Sequence, residues 1–299
     1  MLDRLLADPA IEVVRSVARR SLPPHPKLRH TRADLASYEA VRALAGVEVL
    51  WHLGFALWRG PGALEANRGG IRTVLASRPG RVVLASSAAV YGAWPDNACP
   101  LGEGHATRPN RECPYAEQKL DAERALAGEL PAAVLRICAV LGPHIDPRVG
   151  RVTQGYRLMV PAIRGAHQML QFLHEDDAAD ALHLAGKAGF RGVCNVSPPD
   201  WLDARGIAEA AGSRVVALPR TVLFRLAEVG RRVGASPFGV DRAVLLSGPL
   251  ALDPSLAHQE LGWRAQAGSA EVLAGALGQP GSPWLHADGN TRVGPPMVG

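Results

Sequence analysis

Residues 113–119 read CPYAEQK, and the stretch 84–92 upstream of them reads LASSAAVYG. Tyr115 and Lys119 stand four positions apart at the start of an amphipathic pattern, so a helix places both side chains on one face, about one turn apart. A tyrosine hydroxyl with a pKa of about 10 is a poor base near neutrality, but an ammonium group held close to it favours the phenolate. The spacing therefore predicts that Tyr115 exchanges a proton with a substrate hydroxyl or carbonyl.

Ser87 follows the apolar run 81–85, RVVLA, which is typical of a buried strand. Because open α/β sheets bind their ligands at the carboxyl ends of the strands, we expect Ser87 to hydrogen-bond the same substrate oxygen as Tyr115. The alternative is that Tyr115 and Lys119 are an ordinary exposed helical pair. The chain has only four tyrosines, and chance placement of a lysine at this spacing is rare.

The composition is that of a globular protein, with 299 residues, 47% apolar and 20% charged. No run approaches the roughly 20 apolar residues that span a bilayer, and the first residues open no signal-peptide core. The net charge of +5 comes from arginines spread along the chain without a dense basic block. The four cysteines lack disulfide or metal spacing. We predict a cytoplasmic protein with no metal, no nucleic-acid partner and no membrane partner.

The motifs closely resemble the extended short-chain dehydrogenase/reductase family, which contains nucleotide-sugar epimerases, dehydratases and hydroxysteroid dehydrogenases. The resemblance runs from about Ile11 to Leu277. It implies an α/β fold, with a doubly wound Rossmann-type parallel sheet and a small C-terminal substrate lobe. The expected domains are a dinucleotide-binding domain of residues 1–143 plus 169–197, a substrate lobe of residues 144–168 plus 198–277, and a disordered tail of residues 278–299.

One departure concerns the first strand and the glycine-rich turn GxxGxxG, which precede the first helix in the family. Here residues 1–7 have helical spacing, and the next strand is predicted over 11–17. In the strand order 3-2-1-4-5-6 the missing strand is central, so its loss leaves two unpaired edges. We expect the sequence to lack roughly 15 to 20 N-terminal residues of a functional protein. The alternative is a degenerate member that holds a dinucleotide poorly.

The resemblance also suggests which residues contact the adenosine half of a cofactor. NAD-preferring relatives often carry an acidic residue after the second strand, whereas this chain has Arg19 and Arg20, which suit the 2′-phosphate of NADP. We therefore favour NADP slightly over NAD. The dipeptide Asp34-Leu35 matches the pair that contacts adenine in the family, although Asp34 serves equally well as a turn or helix cap.

Other expected cofactor contacts follow the predicted strands and helices. The segment 47–56 is similar to the family's strand that ends in a small-residue turn, where Gly54 would permit close backbone approach. Ile137 and Cys138 replace the family's usual Arg-Pro pair before the nicotinamide pocket. The remaining residues assigned to the cofactor by the resemblance are Leu53, Ala56, Asn67, Tyr115 and Lys119.

These motifs predict hydride transfer between a nicotinamide cofactor and a hydroxyl- or carbonyl-bearing carbon, with Ser87, Tyr115 and Lys119 as catalytic residues. The substrate class stays open among sugar nucleotides, steroid-like molecules and other hydroxyl or carbonyl compounds. Epimerisation or dehydration is the alternative, although residues 88–90, AAV, stand where dehydratases carry an Asp-Glu pair. A non-catalytic dinucleotide-binding scaffold or sensor is the alternative of another class. The resemblance further implies a homodimer built on the Tyr115 helix and its neighbour.

Overall fold

A computed structural model describes residues 1–57, 60 and 62–279 of the chain. It is an α/β structure of the Rossmann type, with parallel strands and helices alternating along the chain. The predicted disordered tail lies outside the described residues from position 280 onward. No helix within the described ranges combines the length and the apolar content that crossing a bilayer requires.

The first half of the chain forms the following elements in order: α1 (Leu2–Ala7), β1 (Val14–Ala18), β2 (Leu28–Arg32), α2 (Tyr38–Leu44), β3 (Val49–His52), α3 (Ala63–Ser77), β4 (Arg81–Ser87), a 3-10 helix (Ala88–Tyr91), α4 (Pro114–Leu126) and β5 (Ala132–Ile137).

The second half forms β6 (Ala139–Leu141), α5 (Pro147–Gly155), β7 (Val160–Ile163), β8 (Phe172–His174), α6 (Glu175–Ala188), β9 (Gly192–Val196), α7 (Ala204–Ala211), β10 (Val215–Leu218), α8 (Arg220–Arg232), α9 (Val240–Ala243), a 3-10 helix (Val244–Leu246), α10 (Ser255–Leu261) and α11 (Ser269–Ala276).

The central sheet has the strand order β3-β4-β5-β9, with all pairs parallel. Its register pairs His52 with Leu84 and Ser87 with Ile137, so the carboxyl ends of β3, β4 and β5 lie along one edge. Helix α4 begins with Pro114, a residue that suits the first helical turn because it needs no amide donor there. This helix packs against β4, and its first turn therefore stands near the carboxyl edge.

A second parallel sheet contains only β1 and β2. Among the described residues, β1 has no strand partner besides β2, and β3 has none besides β4. Trp51 of β3 packs against the apolar cluster that α1, β1 and β2 form around Leu5, Val14 and Leu28. Side-chain packing thus links the two sheets. Strand β1 begins later than predicted, at Val14, and β3 ends at His52, which leaves 53–56 as a loop.

A separate apolar core joins the elements of the predicted substrate lobe to the main domain. Strand β7 pairs with β10, and β6 pairs with β8. The buried members of this core come from both the lobe and the flanking strands: Leu141, Val160, Phe172, Ile207, Ala208, Ala211, Ala267, Val272, Leu273 and Leu277. Helices α7 and α11 pack against each other over this core, and α11 also contacts β8.

A buried ion pair fastens α4 to the sheet. Arg136 of β5 lies 2.7 Å from Glu123 of α4, and both side chains are only 7% exposed. Arg136 also donates to the Tyr91 hydroxyl at 2.9 Å, and Ser86 donates to Glu123. Because each buried charge has a charged partner and further hydrogen bonds, removal of either partner leaves an uncompensated charge.

Replacement of Glu123 by glutamine tests this arrangement. We expect Glu123→Gln to lower the free energy of unfolding by about 3–5 kcal/mol, since the Arg136 guanidinium would stay buried without its counter-charge. Urea unfolding followed by circular dichroism measures the change. Glu117→Gln, at an exposed position of the same helix, is the matched control and should change stability by less than about 0.5 kcal/mol. Equal effects of the two variants would contradict the account.

Candidate active site

The first turn of α4 brings a phenol and a hydroxyl together at the carboxyl edge of the sheet. The Ser87 side chain lies near the Tyr115 phenol and acts to lower the pKa of that phenol. The Ser87 hydroxyl oxygen also accepts a hydrogen bond from the Ala89 amide at 3.2 Å, which holds it at the end of β4. Phe55 packs its ring edge-to-face against Tyr115, with ring centroids 5.8 Å apart. Ile137 lies beside Ser87 in the strand register.

Lys119 lies one turn further along α4, and its amine points back to the strand. The amine donates to the Ala85 carbonyl at 2.6 Å and lies 4.0 Å from the centroid of the Phe55 ring. It is 5.7 Å from the centroid of the Tyr115 ring. The residue is only 5% exposed, and this burial lowers the pKa of the Lys119 amine to about 7, against an opposing effect of Glu123. Near neutrality the amine is therefore protonated only part of the time.

A second cation lies against Tyr115 and comes from the C-terminal part of the chain. The Arg242 guanidinium of α9 lies 4.5 Å from the centroid of the Tyr115 ring and donates to the Leu57 carbonyl at 2.7 Å. Burial raises the pKa of the Tyr115 phenol, whereas the charge of Arg242 and, after it, the Ser87 side chain act to lower it. Arginine keeps its charge at every physiological pH. Of the two cations, Arg242 is thus the one whose charge does not vary.

The loop after β3 is fixed by an asparagine from α3. The Asn67 side-chain oxygen accepts from the Ala56 amide at 2.6 Å, and its amide nitrogen donates to the Gln118 side chain of α4 at 2.6 Å. Asn67 is buried, so these bonds tie the loop, α3 and α4 to one another. Phe55 on this loop is consequently held against Tyr115.

His52, at the end of β3, is buried, and its Nε2 atom has no hydrogen-bond partner among the described residues. Burial lowers the pKa of His52 to about 4, with a smaller contribution from the charge of Lys119. The imidazole is therefore neutral at physiological pH. It packs closely against Gly70 of α3, where a side-chain carbon would come within 3.1 Å of the ring.

The residues predicted to contact adenosine follow the two strands of the second sheet, β1 and β2. Arg19 and Arg20 follow β1 with exposed side chains, while their carbonyls accept from Arg32 and His30 at 3.0 and 2.9 Å. Asp34 is exposed and accepts from the Ala36 amide at 2.9 Å, which is the bonding of a turn residue.

Two further residues of the predicted cofactor set contact each other. The side chain of Leu35 packs directly on Gly54, where any β-carbon would collide with it. Gly54 thus permits the approach of a leucine from the β2 side. Leu53, the residue before Gly54, is exposed.

Cys138, the predicted contact after β5, is buried, and this burial raises the pKa of its thiol.

Sequence reasoning missed Arg242, Phe55 and Gln118 as members of this site. Gln118 offered a signal, because it stands within the 113–119 motif itself. Arg242 offered none, since it lies in a region without a recognisable pattern and reaches Tyr115 only through the tertiary fold.

The model of the NAD dependent epimerase/dehydratase family matches residues 2–196, which is more than half of the chain. The chain belongs to this family. Its place among the extended short-chain dehydrogenases/reductases confirms the family resemblance and the α/β Rossmann-type fold that the motifs predicted.

The curated relatives of this epimerase/dehydratase chain include uncharacterized proteins from two bacteria. Rv0501 of Mycobacterium tuberculosis (strain ATCC 25618 / H37Rv) is 29% identical over 199 residues, covering 64% of this chain and 52% of the relative. The protein y4nG of Sinorhizobium fredii (strain NBRC 101917 / NGR234) is 26% identical over 275 residues, covering 83% and 67%. The chain therefore spans about half the length of the mycobacterial relative.

Solved structures of similar proteins contain NAD. MoeE5 in complex with UDP-glucose and NAD is 26% identical, with a TM-score of 0.63 over 86% of this chain and 87% of that chain. The UDP-glucose 4-epimerase of Thermus thermophilus, in complex with NAD, is 21% identical, with a TM-score of 0.60 over 83% of each chain. At that lower identity the likeness shows the shared fold alone.

Replacement of Arg242 tests its effect on the phenol of this epimerase/dehydratase family member. We expect Arg242→Met to raise the pKa of Tyr115 by about one unit or more, because a cation within about 6 Å stabilises a phenolate. Nuclear magnetic resonance of tyrosine labelled at Cζ measures the titration, and Tyr115→Phe identifies the signal.

Arg205→Met, at an exposed position of α7, is the control and should leave the Tyr115 titration unchanged. An unchanged Tyr115 pKa in Arg242→Met would show that the guanidinium has no electrostatic effect on the phenol.

Proposed function

We propose that the chain is an NAD(P)-dependent oxidoreductase that transfers hydride to or from a hydroxyl- or carbonyl-bearing carbon. The observation that carries this proposal is the placement of Ser87 close enough to Tyr115 to act on its pKa, beside the buried amine of Lys119, at the carboxyl edge of a parallel sheet. Ligands of open α/β sheets bind at this edge. The chain also belongs to the NAD dependent epimerase/dehydratase family, which supports a dinucleotide as the ligand at this edge.

In the oxidation direction, Tyr115 accepts the proton of the substrate hydroxyl, and Ser87 hydrogen-bonds the same oxygen. Arg242 stabilises the phenolate that accepts the proton, since its guanidinium lies over the Tyr115 ring. Lys119 supplies additional positive charge whenever its amine is protonated, which its pKa of about 7 makes dependent on pH. In the reverse direction Tyr115 returns the proton to the carbonyl oxygen.

The nicotinamide end of a dinucleotide fits the groups at this edge, where a phenol, a hydroxyl and an amine converge. The buried Nε2 atom of His52, which has no hydrogen-bond partner in the described part of the chain, lies near the amine. When bound, the cofactor supplies or accepts the hydride. The resemblance assigns the ribose to Lys119 and includes Tyr115 among the cofactor contacts. It also counts Ile137 and Cys138, which replace the family's usual pair before the nicotinamide pocket, among those contacts. It also assigns to the cofactor Leu53, Gly54 and Ala56 of the loop after β3, and Asn67 of α3.

A sugar nucleotide is the substrate class that the comparisons favour. MoeE5, which is 26% identical, is described in complexes with UDP-glucose and with UDP-glucuronic acid. This observation also favours the second candidate reaction, which is epimerisation at a sugar carbon by oxidation, rotation and reduction within one site. We propose that residues 144–168 and 198–277 form the lobe that selects the substrate, because Arg242 reaches Tyr115 from that region.

A homodimer in the cytoplasm is the proposed assembly and location. Helices α3 and α4 pack side by side and leave an outward groove, and Leu64 at its rim is exposed. The apolar residues that line this groove are Leu64, Ile71, Leu75, Ala122 and Ala125. A helix pair of the same kind from a second copy would cover these side chains.

Turnover tests the proposed chemistry directly. The chain is incubated with UDP-glucose or UDP-glucuronic acid and with NAD or NADP, and formation of the reduced cofactor and of epimerised sugar is measured. We expect Tyr115→Phe to lower kcat at least about 100-fold, since the proton acceptor is lost, while binding of the cofactor persists. Tyr38→Phe, at an exposed position of α2, is the control. Cofactor binding without any turnover would support a dinucleotide-binding scaffold or sensor instead.

Substitution of the two arginines that follow β1 tests the proposed preference for NADP over NAD. If Arg19 and Arg20 bind the 2′-phosphate, the double variant Arg19→Ala/Arg20→Ala should lose about 10-fold or more in affinity for NADP, with little change for NAD. Isothermal titration calorimetry measures both affinities. Arg15→Ala, exposed on the same strand, is the matched control. Equal losses for both cofactors would refute the assignment to the 2′-phosphate.

A further inference from the structure

Helix α8 turns a continuous apolar stripe to the solvent. Val222, Leu226, Val229 and, directly after the helix, Val233 are 39%, 56%, 55% and 71% exposed. Their spacing of four, three and four residues places them within roughly 60° of one another around a helix axis. Isolated exposed apolar side chains are common on protein surfaces, but four aligned over three turns form a patch that needs an explanation.

The other side of α8 already has a partner within the protein. Leu223 is buried, and Phe224 packs against the apolar cluster that contains Tyr115 and Val244. The helix is thus anchored by one face, and its fold does not depend on the exposed stripe. The orientation of α8 also relates the stripe to the candidate active site. Phe224 packs against the same cluster as Tyr115, whereas Val222 and Leu226 of the same helix face the solvent.

The charges of α8 are predominantly positive. The helix has four arginines, at positions 220, 225, 231 and 232, against one glutamate, Glu228. Glu228 is occupied, because it accepts from Arg231 at 2.5 Å and from Arg232 at 3.2 Å. Arg225 and Arg232 project along one flank of the stripe, at about 70–90° from its centre on an ideal helix.

This charge pattern disfavours a second copy of the helix as the partner. Antiparallel pairing of two stripes would place Leu226 opposite Val229, but it would also place Arg225 of one copy near Arg232 of the other. Like charges at such flanking positions oppose association. In a parallel pair of α8 helices, the flanking arginines would gain no further counter-charge from the second copy. Glu228 is the only acidic residue of α8, and it already accepts from Arg231 and Arg232 of its own helix.

An anionic phospholipid bilayer supplies both partners that this pattern requires. Its acyl chains form an apolar region, and its phosphates carry negative charge. Helices with an apolar stripe and arginines beside it lie in the membrane interface, with the stripe at the boundary between headgroups and acyl chains. We propose that α8 docks the protein peripherally on an anionic phospholipid surface, through Val222, Leu226, Val229 and Val233. In this arrangement Arg225 and the terminal guanidinium nitrogens of Arg232, whose Nε bonds Glu228, contact lipid phosphates.

This proposal goes beyond the proposed function and is independent of it, because it uses no residue of the catalytic group. It also qualifies the prediction of no membrane partner, which rested on the lack of a spanning segment. A docked α8 would hold the Tyr115 site close to the lipid surface, since Phe224 and Tyr115 belong to the same packed cluster.

Co-sedimentation with lipid vesicles tests the proposal. The full chain is mixed with vesicles of phosphatidylcholine alone, or of phosphatidylcholine with phosphatidylglycerol, at low and at physiological salt. We expect binding to the anionic vesicles only, and weaker binding as salt screens the arginines. Leu226→Ser/Val229→Ser should reduce binding to the level seen with neutral vesicles. Arg225→Gln/Arg232→Gln should weaken the partition coefficient about 30-fold at low salt.

Tyr38→Ser and Arg72→Gln remove an exposed ring and an exposed charge from other helices, and they should leave vesicle binding unchanged. Circular dichroism and urea unfolding establish that each variant is folded. Absence of binding to anionic vesicles, or equal loss in the control variants, would overturn the proposal. A change of molecular mass in solution for Leu226→Ser/Val229→Ser, with vesicle binding unaltered, would assign the stripe to a second copy and likewise overturn it.

Discussion

The hydrogen bond from the Lys119 amine to the Ala85 carbonyl, at 2.6 Å, is the interaction around which the candidate site is arranged. It joins α4 to β4 just before the strand reaches Ser87, and it thereby fixes how the first turn of the helix faces the sheet edge. Tyr115, one turn earlier on α4, meets Ser87 as a consequence. The buried pair Glu123–Arg136, one turn later, fixes the same helix face from the other side.

Burial of this amine also determines how charge is distributed around the phenol. An ammonium group removed from water loses hydration, and its pKa falls until the neutral form competes near pH 7. A guanidinium does not respond in this way, because its proton affinity is too high. Arg242 therefore gives the site a constant positive charge, while Lys119 gives one that varies with pH. Since Arg242 also binds the Leu57 carbonyl, the region after α8 and the loop after β3 meet at Tyr115.

The local part of this arrangement could be predicted from the sequence. A spacing of four on a helix and a serine at a strand end are short-range patterns, and they correctly indicated α4, β4 and their meeting at the sheet edge. Arg136 within an apolar strand also signals a buried counter-charge, which Glu123 supplies. Arg242 could not be found in this way, because its contact with Tyr115 depends on the packing of distant elements. The reduced protonation of Lys119 was equally hidden, since it follows from burial in three dimensions.

The pH dependence of stability, compared between the chain and Lys119→Met, tests most directly whether the site is built on a desolvated amine. An unfolded lysine keeps its proton up to a pKa of about 10.4, so between pH 7 and that value the unfolded chain binds more protons than the folded one. Stability of the chain should therefore rise with pH across this window, by about 1 kcal/mol per pH unit relative to Lys119→Met. Parallel stability profiles for the two proteins between pH 7 and 9 would contradict the account.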